Sequence, residues 1–128
     1  MNRLARLHVV FGLCFAIAGL LLGIVMAATH DHTQHVTHAH TMLLGFVLPA
    51  LYATVLRQWV DEAQRRLASV QFVLHHLGSA ALVTGLFLLY GRSTAPESVE
   101  PMLAGASVVV LVAAAVMLWM VARAPARA

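Results

Sequence analysis

Four long apolar runs constrain the fold of this chain more than any other feature of its sequence. They cover roughly residues 7–28, 36–56, 68–90 and 102–122. Each has about 20 residues, the length that an α-helix needs to cross about 30 Å of hydrocarbon. Short polar links separate the runs, so we expect consecutive helices to be antiparallel. The sequence therefore predicts an all-α fold in a single domain over residues 1–128, a four-helix transmembrane bundle with antiparallel up-down topology.

The composition supports a lipid environment. Of the 128 residues, 61% are hydrophobic and 10% are charged, whereas an ordinary soluble domain has about 25% charged residues. A soluble domain of this size could not bury so much apolar surface, so the lipid bilayer is the expected partner. The positive side chains are all arginines scattered in short links, a pattern that does not favour nucleic-acid binding. The single cysteine cannot form an internal disulfide, and no CxxCH motif for covalent haem attachment is present.

The arginines predict an orientation. Seven of the eight fall on one side of the expected topology: Arg3, Arg6, Arg57, Arg65, Arg66, Arg123 and Arg127. Arg92 alone falls on the other side. Because positive residues accumulate on the cytoplasmic side, both termini are predicted to be cytoplasmic and the histidine-rich first loop to face outward. The expected location is the inner (cytoplasmic) membrane of a bacterium, with the chain as a multi-pass protein.

Two helices carry packing signals. Gly12, Ala16, Gly19 and Gly23 form a stripe of small residues on one face of the first helix. Such stripes allow membrane helices to approach closely, so we expect this face to pack against another helix. Pro49 lies within the second helix and removes a main-chain donor. It should kink that helix or interrupt its regular hydrogen bonding.

Histidines are the candidate functional residues. His38 and His40 lie in an otherwise apolar segment, where ionisable side chains are functional candidates by default. Neutral imidazole is the commonest metal ligand and suits iron, copper and zinc. Two residues along an α-helix correspond to about 200° of rotation. The two side chains should therefore point to opposite sides, toward two sites or toward one site and a subunit contact.

A second histidine pair lies in the third helix. His75 shares a face with small residues such as Gly85, which leave room for a flat macrocycle or for a close neighbouring helix. His76 shares a face with Phe72, which is typical of core or lipid packing. We therefore favour His75 over His76 as a ligand. His8, near the start of the first helix, is expected at the membrane interface.

The depths of His40 and His75 differ. A rise of 1.5 Å per residue places His40 roughly 25 Å from the inner end of its helix, and His75 roughly 13 Å from the inner end of its own. A single haem with both as axial ligands would need them at similar depth. Either the third helix extends further into the cytoplasm than the apolar run suggests, or His75 serves another site. The sequence leaves both alternatives open.

The sequence HAHTMLLGF at residues 38–46, followed by LHHLG at residues 74–78, resembles small four-helix bacterial membrane proteins related to subunit I of haem-copper (cytochrome c) oxidases. The resemblance spans nearly the whole chain. Subunit I has twelve helices in three arcs of four, and one of its helices carries an HxH pair that serves two neighbouring haems. The resemblance therefore implies that this chain corresponds to one arc, forms a homotrimer and binds haem b non-covalently near the outer side. The chain lacks a histidine–tyrosine pair one turn apart and a channel of carboxylates, so oxygen reduction by this chain alone is not expected.

Three functional hypotheses follow. The first is a haem-b protein for electron transfer or haem binding, with His38 and His40 as leading axial ligands and His75 as second ligand or neighbour. The second is a copper or zinc protein for metal handling or assembly, and methionine beside histidine favours copper. A zinc-dependent hydrolase ranks last, because Asp31 is the only carboxylate close to the histidines that could act as its base. The candidate cofactor-binding residues are His38, His40, His75 and His76, and the candidate metal ligands are His35, His38, His40, Met42 and His75.

Overall fold

A computed structural model describes residues 1–124, and this part of the chain is helical, without β-strands. Its elements, in order, are α1 (Asn2–Thr29), α2 (His35–His40), a π-helix (Thr41–Val47), α3 (Leu48–Gln58), a 3-10 turn (Glu62–Gln64), α4 (Arg65–Tyr90) and α5 (Pro96–Ala122). The segment His35–Gln58, which joins α2, the π-helix and α3, is called the second span below. The predicted all-α class is confirmed. The first and last helices begin five or six residues earlier than their apolar runs suggest.

Four helical segments are long and apolar enough to cross a membrane: Asn2–Thr29, His35–Gln58, Glu62–Tyr90 and Pro96–Ala122. Only 22% to 33% of the most apolar window in each is buried within the chain. Large apolar side chains point outward instead, including Ile17 (60% exposed), Leu111 (68%) and Leu118 (71%). Exposed apolar surface of this extent marks contact with lipid or with another protein. The architecture is compatible with a multi-pass membrane protein.

The stripe of small residues on α1 packs against the second span, as its pattern predicts. A Cβ added at Gly12 would lie 3.4 Å from Pro49 Cβ, and one added at Gly19 would lie 2.6 Å from Met42 Sδ. The contact is reciprocal, because a Cβ at Gly45 of the π-helix would overlap the Phe15 ring on α1. These glycines therefore set how closely α1 and the second span approach.

The predicted interruption of the second helix is present just before Pro49. The regular α-helical hydrogen bonding widens to a π-helix over Thr41–Val47. Pro49 has no N–H for the carbonyl of Gly45, and its ring crowds that carbonyl, so the preceding turn cannot keep the α-helical pattern. π-Helical turns inside α-helices are rare and are frequent at functional sites. The histidine-bearing helix α2 ends at His40, directly before this widened turn.

Two buried apolar clusters hold the four segments together. One includes Leu56, Ala68 and Met120, and the other includes Leu82 and Ala106. Their members come from different helices, so each cluster bridges segments that are distant along the chain.

A substitution at Gly19 tests how α1 packs against the second span. The variant Gly19→Leu should lower the free energy of unfolding by about 1–3 kcal/mol, because overpacking a close contact forces neighbours off their positions. Thermal unfolding in detergent would measure this loss. The control is Ala27→Leu, which adds the same side chain at an exposed position of the same helix and should change stability by less than about 0.5 kcal/mol. Equal stability of the two variants would contradict the proposed role of the stripe.

Candidate functional site

His38 and His40 share one hydrogen-bonding arrangement. The Nδ1–H of His38 donates to the carbonyl oxygen of Gly19 on α1 at 2.8 Å, and the Nδ1–H of His40 donates to the carbonyl oxygen of Val36 at 2.9 Å. A carbonyl can only accept, so each Nδ1 carries a proton, and the neutral form of each ring has its lone pair on Nε2. This arrangement is typical of histidines that bind metals, because the carbonyl fixes both the tautomer and the direction of the ring.

The two rings contact different neighbours. His38 lies against α1, where a Cβ added at Gly23 would be 3.1 Å from His38 Cε1, so Gly23 provides the space that the ring occupies. His40 instead lines an apolar groove of about 330 Å³ together with Leu82 of α4 and Leu103 of α5. This separation agrees with the opposed directions expected for residues two apart on a helix.

Five buried residues form a second polar group, which we call the inner polar cluster: His8, Tyr52, Gln71, His75 and His76. The Nδ1 of His8 and the Nε2 of His76 are 3.1 Å apart and share one hydrogen bond. The Nε2–H of His75 donates to the carbonyl oxygen of Leu44 at 2.9 Å. The Tyr52 ring meets the His75 ring edge-on, with ring centres 4.9 Å apart. Helices α1, α3 and α4 all contribute to this cluster.

The prediction that His8 lies at the membrane interface is wrong. Its side chain has no exposed surface and packs inside the bundle. His76 packs against Phe72 as expected, with ring centres 4.5 Å apart, but it also hydrogen-bonds to His8. One signal could have identified His8, because it precedes Gly12 by four residues and so continues the stripe of small residues that faces the bundle. Gln71 had a similar signal, since it shares the inward face of His75 one turn away.

The inner polar cluster has more polar atoms than protein partners. Six buried atoms of this cluster have no hydrogen-bond partner within the described chain: His8 Nε2, His75 Nδ1, His76 Nδ1, the Tyr52 hydroxyl oxygen and both amide atoms of Gln71. Each such atom costs about 1–3 kcal/mol unless another group meets it. Donors and acceptors are mixed in this set, which is the combination that ordered water satisfies.

The inner polar cluster does not have the spacing of a three-histidine metal site. Two imidazoles on one tetrahedral ion have ring centres about 5 Å apart, because metal–nitrogen bonds are about 2.1 Å long. The pairs His8–His76 and His75–His76 are close to this value, at 5.1 and 5.3 Å, but His8 and His75 are 6.5 Å apart. Throughout residues 1–124, no group of three or more His, Cys, Asp or Glu side chains is placed to hold a metal ion.

The candidate copper or zinc ligands are not brought together. His35 is exposed, and its Nδ1–H donates to the carbonyl oxygen of His32 at 2.9 Å. Met42 contacts α1 at Gly19, on the side to which His38 points. His40 faces the groove at α4 and α5. The set therefore spreads over the exposed start of α2 and two sides of the second span.

His40 and His75 are also separated along the bundle. His75 bonds to the carbonyl of Leu44, which follows His40 by four residues. At 1.5 Å per residue, this is a difference of about 6 Å, smaller than the mismatch expected from the sequence. His75 is buried against that carbonyl, whereas His40 lines the groove at α4 and α5.

Asp31 organises the first loop. The main-chain N–H of Thr33 donates to Asp31 Oδ1 at 3.0 Å. This bond, followed by one from the Thr33 side chain, lowers the pKa of the fully exposed Asp31 carboxyl below its ordinary value. Within residues 1–124 the Asp31 side chain forms no hydrogen bond to a histidine. The carboxylate therefore supports the turn between α1 and α2.

The fold and the site define an all-helical chain with four helices long and apolar enough to cross a membrane, and with imidazoles among them. No family model, curated protein or solved structure matches this chain.

The hydrogen bond between His8 and His76 can be measured with a double-mutant cycle of His8→Leu and His76→Leu. Each single variant should be destabilised, because it leaves the other imidazole with one more unpartnered nitrogen. The coupling energy should be about 0.6–1.7 kcal/mol, the range for hydrogen bonds between membrane helices. Unfolding in detergent provides the four free energies, and the exposed-loop variant His32→Leu is the control. Strictly additive effects would contradict the bond.

Proposed function

We propose that this chain is a multi-pass membrane protein that binds haem b, with His38 and His40 as the axial imidazoles. The observation that supports this most strongly is the shared arrangement of the two rings. In each, a main-chain carbonyl holds Nδ1–H and leaves the Nε2 lone pair for a ligand. Haem iron would supply one-electron chemistry at this level of the bundle. The proposed role is electron transfer or haem binding.

The surroundings of the two rings fit a flat, apolar cofactor. Leucines dominate the groove at His40, and Ser107 is its one hydroxyl-bearing member. Apolar lining with few polar groups is typical of cofactor sites. On the other side, Gly19 and Gly23 allow Met42 and the His38 ring to pack closely against α1. The widened π-helical turn after His40 lies where such distortions often serve function.

A homotrimer is part of the proposal. The His38 and His40 rings point to different sides of one helix, so each copy offers a single Nε2 to each side. A haem with two axial histidines would then take its second ligand from a neighbouring copy. His75 and His76 have no axial role in this scheme, because both are buried within the chain and do not share the sides to which His38 and His40 point.

The proposed location is the inner membrane of a bacterium. We propose antiparallel up-down spans with both termini in the cytoplasm and the histidine-rich loop outside. The arginine distribution supports this orientation, because seven of eight arginines fall on one side. Arg127, one of the seven, lies outside the described residues. The exposed apolar side chains of all four segments support immersion in lipid.

Absorption spectra of protein purified from haem-replete cells test the ligands. We expect a Soret band with split α and β bands on reduction, and loss of most of this absorbance in His38→Ala and in His40→Ala. His30→Ala in the exposed loop is the control, and His75→Ala should also retain its haem. A colourless wild-type protein, or an unchanged spectrum in the double variant His38→Ala/His40→Ala, would overturn the proposal. Colourless protein with stoichiometric copper or zinc would favour the alternative of a copper or zinc protein, with ligands among His35, His38, His40 and Met42.

The oligomeric state tests the shared coordination. The haem-loaded protein in detergent should have three times the mass of one chain, measured by light scattering with correction for bound detergent. If each haem bridges two copies, His38→Ala and His40→Ala chains mixed before assembly should recover part of the absorbance. A haem-loaded monomer would contradict the homotrimer.

A further inference from the structure

We infer that a groove between the first turns of α1 and the last turns of α3 binds the headgroup of an anionic phospholipid. The groove has a volume of about 610 Å³, and Arg6 from α1 and Arg57 from α3 both line it. We call it the arginine groove. The inference rests on the proposed membrane location and is independent of haem binding.

The charge of the arginine groove is uncompensated within the described chain. None of its lining residues is an aspartate or a glutamate. Over residues 1–124, neither Arg6 nor Arg57 forms an ion pair. Glu62, a carboxylate of the neighbouring turn, instead pairs with the Met1 amino group at 2.6 Å and with Arg65 at 3.3 Å. Two arginines that line one groove without a carboxylate favour a phosphate, because a guanidinium group can bind phosphate oxygens bidentately.

Further donors surround the two arginines. The amide side chains of Asn2 and Gln58 line the same groove. Helix α1 begins at Asn2, one of the lining residues, so its positive dipole end is close to the groove. The guanidinium groups, the amides and the helix end thus all favour an anion.

The remaining lining favours a lipid over a free anion. Val9 follows Arg6 by about one turn, and Ala50 precedes Arg57 by about two turns, so the groove continues from its charged mouth along an apolar wall. A molecule with a phosphate at one end and hydrocarbon at the other matches this order. The mouth lies at the ends of two segments long enough to span a membrane, where headgroups would lie. Basic pockets between membrane helices are known sites for anionic headgroups.

Native mass spectrometry in detergent tests this site. Phosphatidylglycerol and phosphatidylcholine with identical acyl chains are added separately to delipidated protein, and the affinity of the first bound lipid is compared. We expect phosphatidylglycerol to bind about tenfold tighter or more. In Arg6→Gln/Arg57→Gln its affinity should fall about 10- to 30-fold, because each arginine near an anionic lipid contributes about a factor of five.

The matched control is Arg66→Gln/Arg92→Gln, which removes the same charge from positions outside the groove and should keep the affinity within about twofold. Equal loss in both double variants, or no preference for phosphatidylglycerol in the wild type, would overturn the inference. Inorganic phosphate at millimolar concentration should compete weakly. Phosphate that binds as tightly as the lipid would also overturn it.

Two further measurements keep the result interpretable. If the double glutamine variant does not fold, Arg57→Gln alone should still lose several-fold affinity, while Arg57→Lys should lose less because it keeps a cation. Haem absorbance recorded on the same samples separates the two proposals. Colourless protein that prefers phosphatidylglycerol would contradict haem binding but support the lipid site. Coloured protein without a lipid preference would contradict the lipid site but support haem binding.

Discussion

Each imidazole inside this bundle needs partners for two ring nitrogens, and main-chain carbonyls can meet only the one that carries a proton. His38 and His40 both follow this rule, with Nδ1–H bonded to Gly19 and Val36. The opposite nitrogen then has a lone pair that needs a metal ion, a hydrogen-bond donor or water. An unmet polar atom in an apolar interior is costly. The chemistry of the site follows from which nitrogens remain after the carbonyls are assigned.

The distortion before Pro49 and the glycines on α1 make this assignment possible. The Gly19 carbonyl lies within reach of His38 because α1 approaches the second span closely along its small-residue stripe. The π-helical segment Thr41–Val47 then changes the rotation of α3 about the helix axis relative to α2, which carries the histidines. A regular α-helix would orient the residues after His40 differently relative to α1. The packing of α1 and the directions of the His38 and His40 rings are therefore coupled through one irregular helix.

Much of the fold was predictable, because run length, glycine spacing and a proline act locally. The opposed directions of His38 and His40 follow from helical rotation alone. The helix ends were less predictable, since Arg3, Arg6 and Glu97 lie within helices despite their charge. The sequence identified only part of the inner polar cluster. His75 was a candidate ligand, whereas His8 was expected at the membrane interface. Contacts between His8 and His76 join residues 68 apart, and no local pattern specifies such a pair.

The two histidine groups differ in what can supply a partner for their free ring nitrogens, and this difference constrains any function of the chain. The inner polar cluster is enclosed by three helices of one copy, so small molecules such as water can complete it without a second chain. His38 and His40 lie only partly buried on two sides of one helix, where a cofactor would also contact whatever lies beside the chain. If His38 and His40 bind a metal as proposed, a second protein ligand would come from a neighbouring copy. Metal binding at these two histidines would thus depend on assembly, whereas the inner polar cluster lies within the single chain.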